Sequence, residues 1–248
     1  RTPDNIPIDH EHIFDSDSIL SMLYLPSSLT VLGGGVIASE YASIFQALGV
    51  KVTMIDRYPT PLGFLDSDMT DTFVHAFEAM GGTWMGNQNV EKVYWDDISQ
   101  VVAECADGTV VRSQKLLCCA GRLANVKDLQ LENAGLALNE RGLISVDKNL
   151  RTSVDNIYAA GDIAELEGSN GKQPGLWAVA VEQGRIAAIN ALGGEQLYID
   201  KPIATGLKVV GVELTSMGTF NAESNDIEIV FKNKDKYKKI VLRNNIII

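Results

Sequence analysis

The 248-residue sequence predicts an α/β protein, and three observations carry that prediction. A buried-type strand, "LTVLG", runs into a glycine-rich turn and a helix, and a second apolar strand follows: a compact βαβ unit. Three short alternating segments separated by turn residues then read as an antiparallel β-meander. The last stretch is strand after strand with polar turns.

Composition agrees with that class. Apolar residues make up 46% and charged residues 21% of the chain, as in soluble globular proteins. The length allows one large core or two ordinary ones. No apolar run approaches the roughly 18 residues of a membrane span. The opening "RTPDNIPIDHEH" is polar and Pro-bearing, unlike a secretory leader; a reducing cytoplasm is expected from the cysteine usage. A net charge of −11 argues against nucleic acid, whose binding rests on Lys and Arg at phosphates. Small soluble partners fit better. Cys105, Cys118 and Cys119 give neither a disulfide framework nor metal-ligand spacing. Cys118 and Cys119 are neighbours on a strand, so they should face opposite ways as inert thiols. His10, His12 and His75 show no ligand spacing, and His75 reads as an ordinary helix-face residue.

Taken in order, "DSDSILSML" predicts a helix capped by Asp15 or Ser16 and closed before Pro26. After "LTVLG", a helix over "GVIASEYASIFQALG" carries Ile37, Tyr41, Ile44, Phe45 and Leu48 at helical spacing. Gly49 stops it, and "KVTMID" is the second strand. Beyond the turn-rich "RYPTPLGFL", Asp66 or Ser67 caps a helix to about Met80. "NVEKVYW", "SQVVAECA" and "TVVRSQ" form the meander, and "KLLCCAG" returns to the parallel sheet. Near the chain's end, a helix over "LWAVAVEQGRIAAINAL" precedes a "YIDKP" linker and the strands of "LKVVGVELTSMG", "DIEIVFKN" and "YKKIVLRNNIII".

Gly33, Gly35 and Ala38 fit G-x-G-x-x-G/A between a strand and a helix, which makes the βαβ unit Rossmann-like. Gly33 permits the tight turn, Gly35 lets backbone approach a pyrophosphate, and Ala38 lets the helix lie close to the sheet. Val36 and Ile37 complete the helix mouth, whose free N–H groups and dipole suit phosphates. Asp56 ends the second strand about 20 residues on, where a carboxylate binds the adenosine ribose and repels a 2′-phosphate. This favours NAD(H) over NADP(H). Arg57 follows directly and could swing toward a 2′-phosphate, so NADP(H) stays open. A second motif, "TSVDNIYAAGDIAE", puts the Asp162 carboxylate after Gly161 at a strand end, facing a sugar hydroxyl or simply capping the next turn.

Together, "GGGVIASEYA", "CAGR", "GLISVDKNLRTSVDNIYAAGD" and "EQGRIAAINALGG" resemble the FAD-dependent pyridine nucleotide–disulfide oxidoreductase superfamily in order and spacing. The likeness covers nearly the whole chain. Up to about Asp162 it is similar to soluble pyridine nucleotide transhydrogenases; from "GLWAVAVEQG" onward it looks like NADH-dependent rubredoxin reductases and NADH oxidases.

The resemblance implies FAD and NAD(H) as cofactors, with these roles by position. Gly33, Gly35 and Ala38 would face the NAD pyrophosphate and Asp56 its ribose. Glu40 would approach the nicotinamide, or else be an exposed helix-face acid. Ala120, Gly121 and Arg122 of "CAGR" would lie near the nicotinamide. Gly161 and Asp162 would bind FAD hydroxyls. The helix start at Leu176, Trp177 and Ala178 would point its dipole at the flavin pyrimidine, or else be ordinary packing. No residue is singled out as catalytic.

It also implies a division. Residues 1–20 end an FAD-domain segment, 21–122 form the NAD(H)-binding domain with its inserted meander, 123–193 are the C-terminal part of an FAD-binding domain, and 194–248 hold a linker and the start of an α+β interface domain. The family's FAD fingerprint and a C-x-x-x-x-C pair are absent from these residues, so the chain is expected to be a piece at both ends. The "IYAAGD" strand is expected to be central in a parallel sheet, and residues 123–192 are then expected to need further strands for stability. The expected activity is hydride transfer from a reduced nicotinamide to flavin and on to an unknown acceptor. Transhydrogenation comes first, and rubredoxin-reductase or NADH-oxidase electron transfer second. A non-catalytic NAD-binding module is the alternative from another class. A homodimer or a complementing chain is the expected assembly.

Overall fold

The computed structural model describes residues 3, 5–168, 175–200, 202, 204–233 and 236–248. Arg1, Thr2 and Asp4 of the opening segment and Lys201 of the expected linker lie outside the described residues. The chain forms two compact units, Arg1–Gly121 with Pro202–Ile248, and Arg122–Lys201.

The first unit opens with β1 (Ile13–Asp15) and one 3-10 turn at Ser18–Ser21. Next come β2 (Ser28–Leu32), α1 (Val36–Ala47), β3 (Lys51–Ile55), α2 (Ser67–Ala79) and β4 (Thr83–Met85). The meander is β5 (Val90–Trp95), β6 (Val101–Cys105) and β7 (Val110–Ser113), and β8 (Lys115–Cys118) follows. The main sheet has the order β1-β8-β2-β3-β4, all parallel. The meander pairs antiparallel within itself.

Strand alternation sorts the core into two layers. Phe14, Leu29, Val31, Val52, Met54 and Leu117 share one buried cluster with the helices. Ile13, Leu32, Ile55, Leu116 and Cys118 share another with Val93, Val101 and Ala103 of the meander. Cys118 and Cys119 fall in opposite clusters, as period-2 geometry demands.

Two local expectations are corrected. The stretch after Asp15 is not a helix beyond one 3-10 turn. Asp15 Oδ1 accepts from the Ser18 amide at 2.8 Å and from Ser18 Oγ at 2.7 Å, the capping contact expected of it, but the turn it opens ends at Ser21, while Ile13 and Phe14 pair as an edge strand against β8. The buried face of α1 also differs. Ile44 and Leu48 are over half exposed. Ala38, Ala42 and Phe45 are buried instead, together with Ser39, Ser43 and Gln46. Small residues let the helix approach the sheet, and Gln46 Nε2 reaches the Phe77 carbonyl at 2.9 Å. The three-residue β4, between glycines, gave no periodic signal and is an addition.

The second unit holds β9 (Ile144–Val146) and β10 (Ala164–Leu166), a parallel pair, and α3 (Trp177–Ala191). Among the described residues the "IYAAGD" stretch has no parallel partner. Its backbone turns back on its predecessor: the Thr152 amide donates to the Ile157 carbonyl at 3.0 Å and the Ala159 amide to Leu150 at 3.2 Å. Arg151 and Tyr158 make one antiparallel bridge. With strand pairing used locally, the segment ends in a 3-10 turn at Gly161–Ile163. Val179, Ile186 and Ala187 bury the inner face of α3, and Asn190 on that face bonds the Asn149 and Gln196 carbonyls, each at 2.8 Å.

The chain then returns to the first unit as a hairpin of β11 (Ala204–Val209) and β12 (Val212–Met217), followed by β13 (Ile227–Lys232), β14 (Tyr237–Arg243) and β15 (Ile246–Ile247). Leu207, Val209, Val210 and Leu214 join the helix-side core with Phe73 and Phe77. Asp66, the N-cap of α2, is the polar tie. It accepts from the Asp68 amide at 3.0 Å, Tyr237 Oη at 3.0 Å and Lys239 Nζ at 3.0 Å. Among the described residues, no helix is long and apolar enough to cross a membrane.

Candidate functional site

The site begins where β2 ends. Gly33 has φ of +119° and donates to the Ile55 carbonyl at 2.8 Å. A Cβ on it would lie 2.6 Å from the Cys119 carbonyl oxygen, so only glycine lets the chain turn here against β8. Gly35 is the N-cap of α1 and has no side-chain capping bond. A Cβ there would meet nothing within 4 Å. The turn therefore leaves open space at the helix mouth, which a branched side chain would enter. The first intrahelical bond runs from Ser39 to the Gly35 carbonyl at 3.0 Å, so the amides before it face outward from the turn. No acid sits in the first turn, and the positive end of the dipole is uncompensated there. Ala38 is buried, 1% exposed, holding the helix close to the sheet. Val36 and Ile37 are half-buried, and Glu40 is exposed on the helix face.

Asp56 follows β3 directly. Its amide donates to the Met85 carbonyl at 3.1 Å, its carbonyl accepts from Gln88 at 2.9 Å, and Oδ1 accepts from the Tyr58 amide at 3.0 Å. Oδ2 lies 3.1 Å from where a Cβ on Gly34 would stand, which places the carboxylate beside the glycine turn. Arg57 is drawn to Tyr58: its Nη2 donates to Tyr58 Oη at 3.1 Å, with the guanidinium 4.9 Å from the ring centroid. Cys119 at the end of β8 is no nucleophile, because burial pushes its thiol up to about 12. Ala120 packs against the meander-side cluster, and Gly121 has φ of +90°.

In the second unit, Gly161 has φ of +77°, a Cβ on it would lie 3.2 Å from Ala180 Cβ, and its amide donates to Gln183 Oε1 at 2.8 Å. α3 thereby fixes the turn that carries Asp162. Arg122 Nη1 lies 3.9 Å from Asp162 Oδ2, a loose, largely exposed pair. α3 starts at Leu176 without a side-chain cap. Trp177 is 82% exposed and Ala178 is exposed. This unit thus offers a carboxylate acceptor on a turn bonded to α3 and a helix N-terminus without a side-chain cap.

Sequence reasoning missed three residues packed together at the glycine turn: Gly34, Leu62, whose amide bonds the Gly34 carbonyl, and Trp84, beside Gly34. A run of three glycines where the motif needs two was the available signal for Gly34. A cavity of about 660 Å³ lies elsewhere in that unit, lined by Asp66, Met69, Leu214, Phe220 and Lys239 among others, and it contains no residue of the glycine turn.

A parallel sheet with a glycine turn, an open helix mouth and an acid after the second strand defines a dinucleotide-binding α/β protein. The pyridine nucleotide-disulphide oxidoreductase family model matches residues 3–184, and the rubredoxin NAD+ reductase C-terminal domain model matches residues 204–248. The chain belongs to the pyridine nucleotide-disulphide oxidoreductase family. Membership implies FAD and pyridine nucleotide as cofactors. A soluble pyridine nucleotide transhydrogenase of Pseudomonas aeruginosa is 36% identical over 93% of this chain and 48% of its own. That of Marinobacter nauticus is 35% identical over 92% and 48%. This chain spans about half the length of the curated relatives it matches. Among solved structures, the HOCl-induced flavoprotein disulfide reductase RclA from Escherichia coli matches with TM-score 0.81 and 26% identity, over 98% of this chain and 58% of that one. LpdA from Mycobacterium tuberculosis matches with TM-score 0.79 and 29% identity, over 88% and 46%.

Proposed function

We propose that this chain binds NAD(H) at the Gly33–Gly35 turn and serves an FAD-dependent oxidoreductase that passes hydride from a reduced nicotinamide through flavin to an acceptor. The open space at Gly35, at an uncapped helix mouth and one residue from Gly34, whose Cβ position lies 3.1 Å from Asp56 Oδ2, is the observation that carries the reading. Gly33, Gly35 and the α1 amides at Val36, Ile37 and Ala38 hold the pyrophosphate, and Asp56 accepts from the ribose hydroxyls. Glu40, Ala120, Gly121 and Arg122 are assigned to the nicotinamide end. Gly161 and Asp162 bind flavin-nucleotide hydroxyls, and the α3 start at Leu176, Trp177 and Ala178 favours negative charge near the ring. The flavin and nicotinamide supply the redox chemistry when bound, and the chain's part is to orient them and control local charge.

Transhydrogenation between nicotinamide nucleotides is the first assignment, supported by the transhydrogenase relatives. Electron transfer of the rubredoxin-reductase or NADH-oxidase kind is the second, favoured by the C-terminal match at residues 204–248. The reading keeps the division at 20, 122 and 193, a cytoplasmic protein, and a homodimer or a complementing chain. Thiols without a disulfide framework support the location.

Purified protein tests it. An absorbance band near about 450 nm, the range of oxidised flavin, that bleaches anaerobically with NADH supports the oxidoreductase. NADH binding without any such band supports the non-catalytic module instead. With flavin bound, hydride exchange between NADPH and NAD+ supports the first assignment, and its absence alongside oxygen or rubredoxin reduction supports the second.

A further inference from the structure

The residue between the two motif glycines is free in the G-x-G pattern, yet here its environment is closed. A Cβ on Gly34 would lie 2.9 Å from Trp84 Cη2, 3.1 Å from Asp56 Oδ2 and 3.1 Å from Pro61 Cα. Its carbonyl accepts from the Leu62 amide at 2.7 Å. Leu62 is buried in the left-handed region, φ +52°, a conformation an L side chain keeps only when its surroundings impose it. Trp84, in the middle of β4, donates from its indole Nε1 to the Pro59 carbonyl at 3.0 Å. The Asn87 amide adds a bond to the Tyr58 carbonyl at 3.1 Å. The loop after β3 is thus folded back on the glycine turn, and one indole touches both partners.

We propose that Trp84 is a positioning residue for coenzyme selectivity: it fixes the loop from Asp56 to Leu62 against Gly34, so that Asp56 Oδ2 faces the ribose position. Selection for a 2′-hydroxyl is then a property of the Gly34–Trp84–Pro59 contact as well as of the carboxylate. The same contact bears on Arg57, because a loop held by Pro59 keeps Tyr58 where it holds the guanidinium. Released, the loop lets the acid withdraw and the base approach a 2′-phosphate. The proposal rests on the nucleotide reading of the glycine turn.

The test is calorimetric titration of the protein with NADH and with NADPH, beside thermal melts, for wild type, Trp84→Phe, Gly34→Ala and Asp56→Ser. Trp84→Phe keeps an aromatic side chain in β4 but removes the indole N–H and the outer ring edge that reaches Gly34. It is expected to weaken NADH about threefold to tenfold, the scale of one hydrogen bond, and to lower the NADH-to-NADPH affinity ratio by a similar factor. Gly34→Ala, by pushing on Trp84 and Asp56 together, should shift the ratio the same way. A Trp84→Phe protein that melts earlier but keeps the wild-type ratio overturns the proposal, since a merely structural tryptophan gives that result. If Asp56→Ser leaves both titrations unchanged, the ribose assignment itself fails and takes this inference with it.

Discussion

A methyl group on Gly33 would stand 2.6 Å from the carbonyl oxygen of Cys119, although the two residues, each just past the end of neighbouring strands β2 and β8, lie far apart in sequence. The contact locks the glycine turn to the end of β8, whose Cys119 amide donates to the Leu32 carbonyl at 2.8 Å. The nucleotide turn is therefore part of the sheet's own packing.

Gly33→Ala should be costly for that reason. The positive φ and the backbone clash together predict a loss of about 2–4 kcal/mol, read as a lower denaturant midpoint with unchanged slope. A melt within error of wild type would show that the turn relaxes freely.

Asp56→Ala should weaken NADH about tenfold, near 1.4 kcal/mol, and tighten NADPH, because the variant no longer repels a 2′-phosphate. Parallel titrations check both directions. Equal curves before and after the change contradict the ribose assignment.

The Asp66 tie predicts how stability depends on pH at both ends. Burial pushes the Asp66 carboxyl up, but bonds from Lys239, the Asp68 amide and Tyr237 outweigh it and hold the group below its ordinary 3.8. Its stabilisation is thus complete above the unfolded value and is lost as pH falls through the lower folded one, below about pH 4. Burial and the bond to Asp66 push the Tyr237 hydroxyl up to about 12 from 10.0. Its contribution is present below pH 10 and fades as pH rises toward 12. Asp66→Ala, losing a cap and one of the two carboxylates beside Lys239 (Glu228 remains, at 3.1 Å), should cost about 1–3 kcal/mol and flatten both limbs. Urea midpoints across pH measure this.

The thiols should be quiet. Burial raises all three cysteines, Cys119 to about 12, and the thiolate is the reactive form. A thiol reagent at pH 8 should label native protein slowly and denatured protein at once. Fast labelling of one thiol in native protein would contradict the burial.

The βαβ unit, the meander and the C-terminal strands were legible because apolar period and turn residues repeat over enough positions to register. Gly33, Gly35, Ala38 and Asp56 were legible because their spacing encodes a mechanical need. What escaped depends on distant partners. The three residues of β1 and of β4 become strands only beside β8 and β3. Ala38, Ala42 and Ser43 outrank Ile44 and Leu48 on α1 because closeness to the sheet, not hydrophobicity, decides that face. Ile157–Ala160 looked like a buried strand on composition and instead pairs with the segment before it. Trp84 over Gly34 joins positions that no local pattern connects.

The central claim is that the open turn at Gly35 receives the dinucleotide pyrophosphate. Calorimetric titration of NADH into wild type and Gly35→Val tests it most directly. A valine side chain would occupy the open space at the helix mouth, so binding should weaken roughly 100-fold, about 2.8 kcal/mol, with the thermal midpoint little changed. A Gly35→Val protein that binds NADH as wild type does would contradict it.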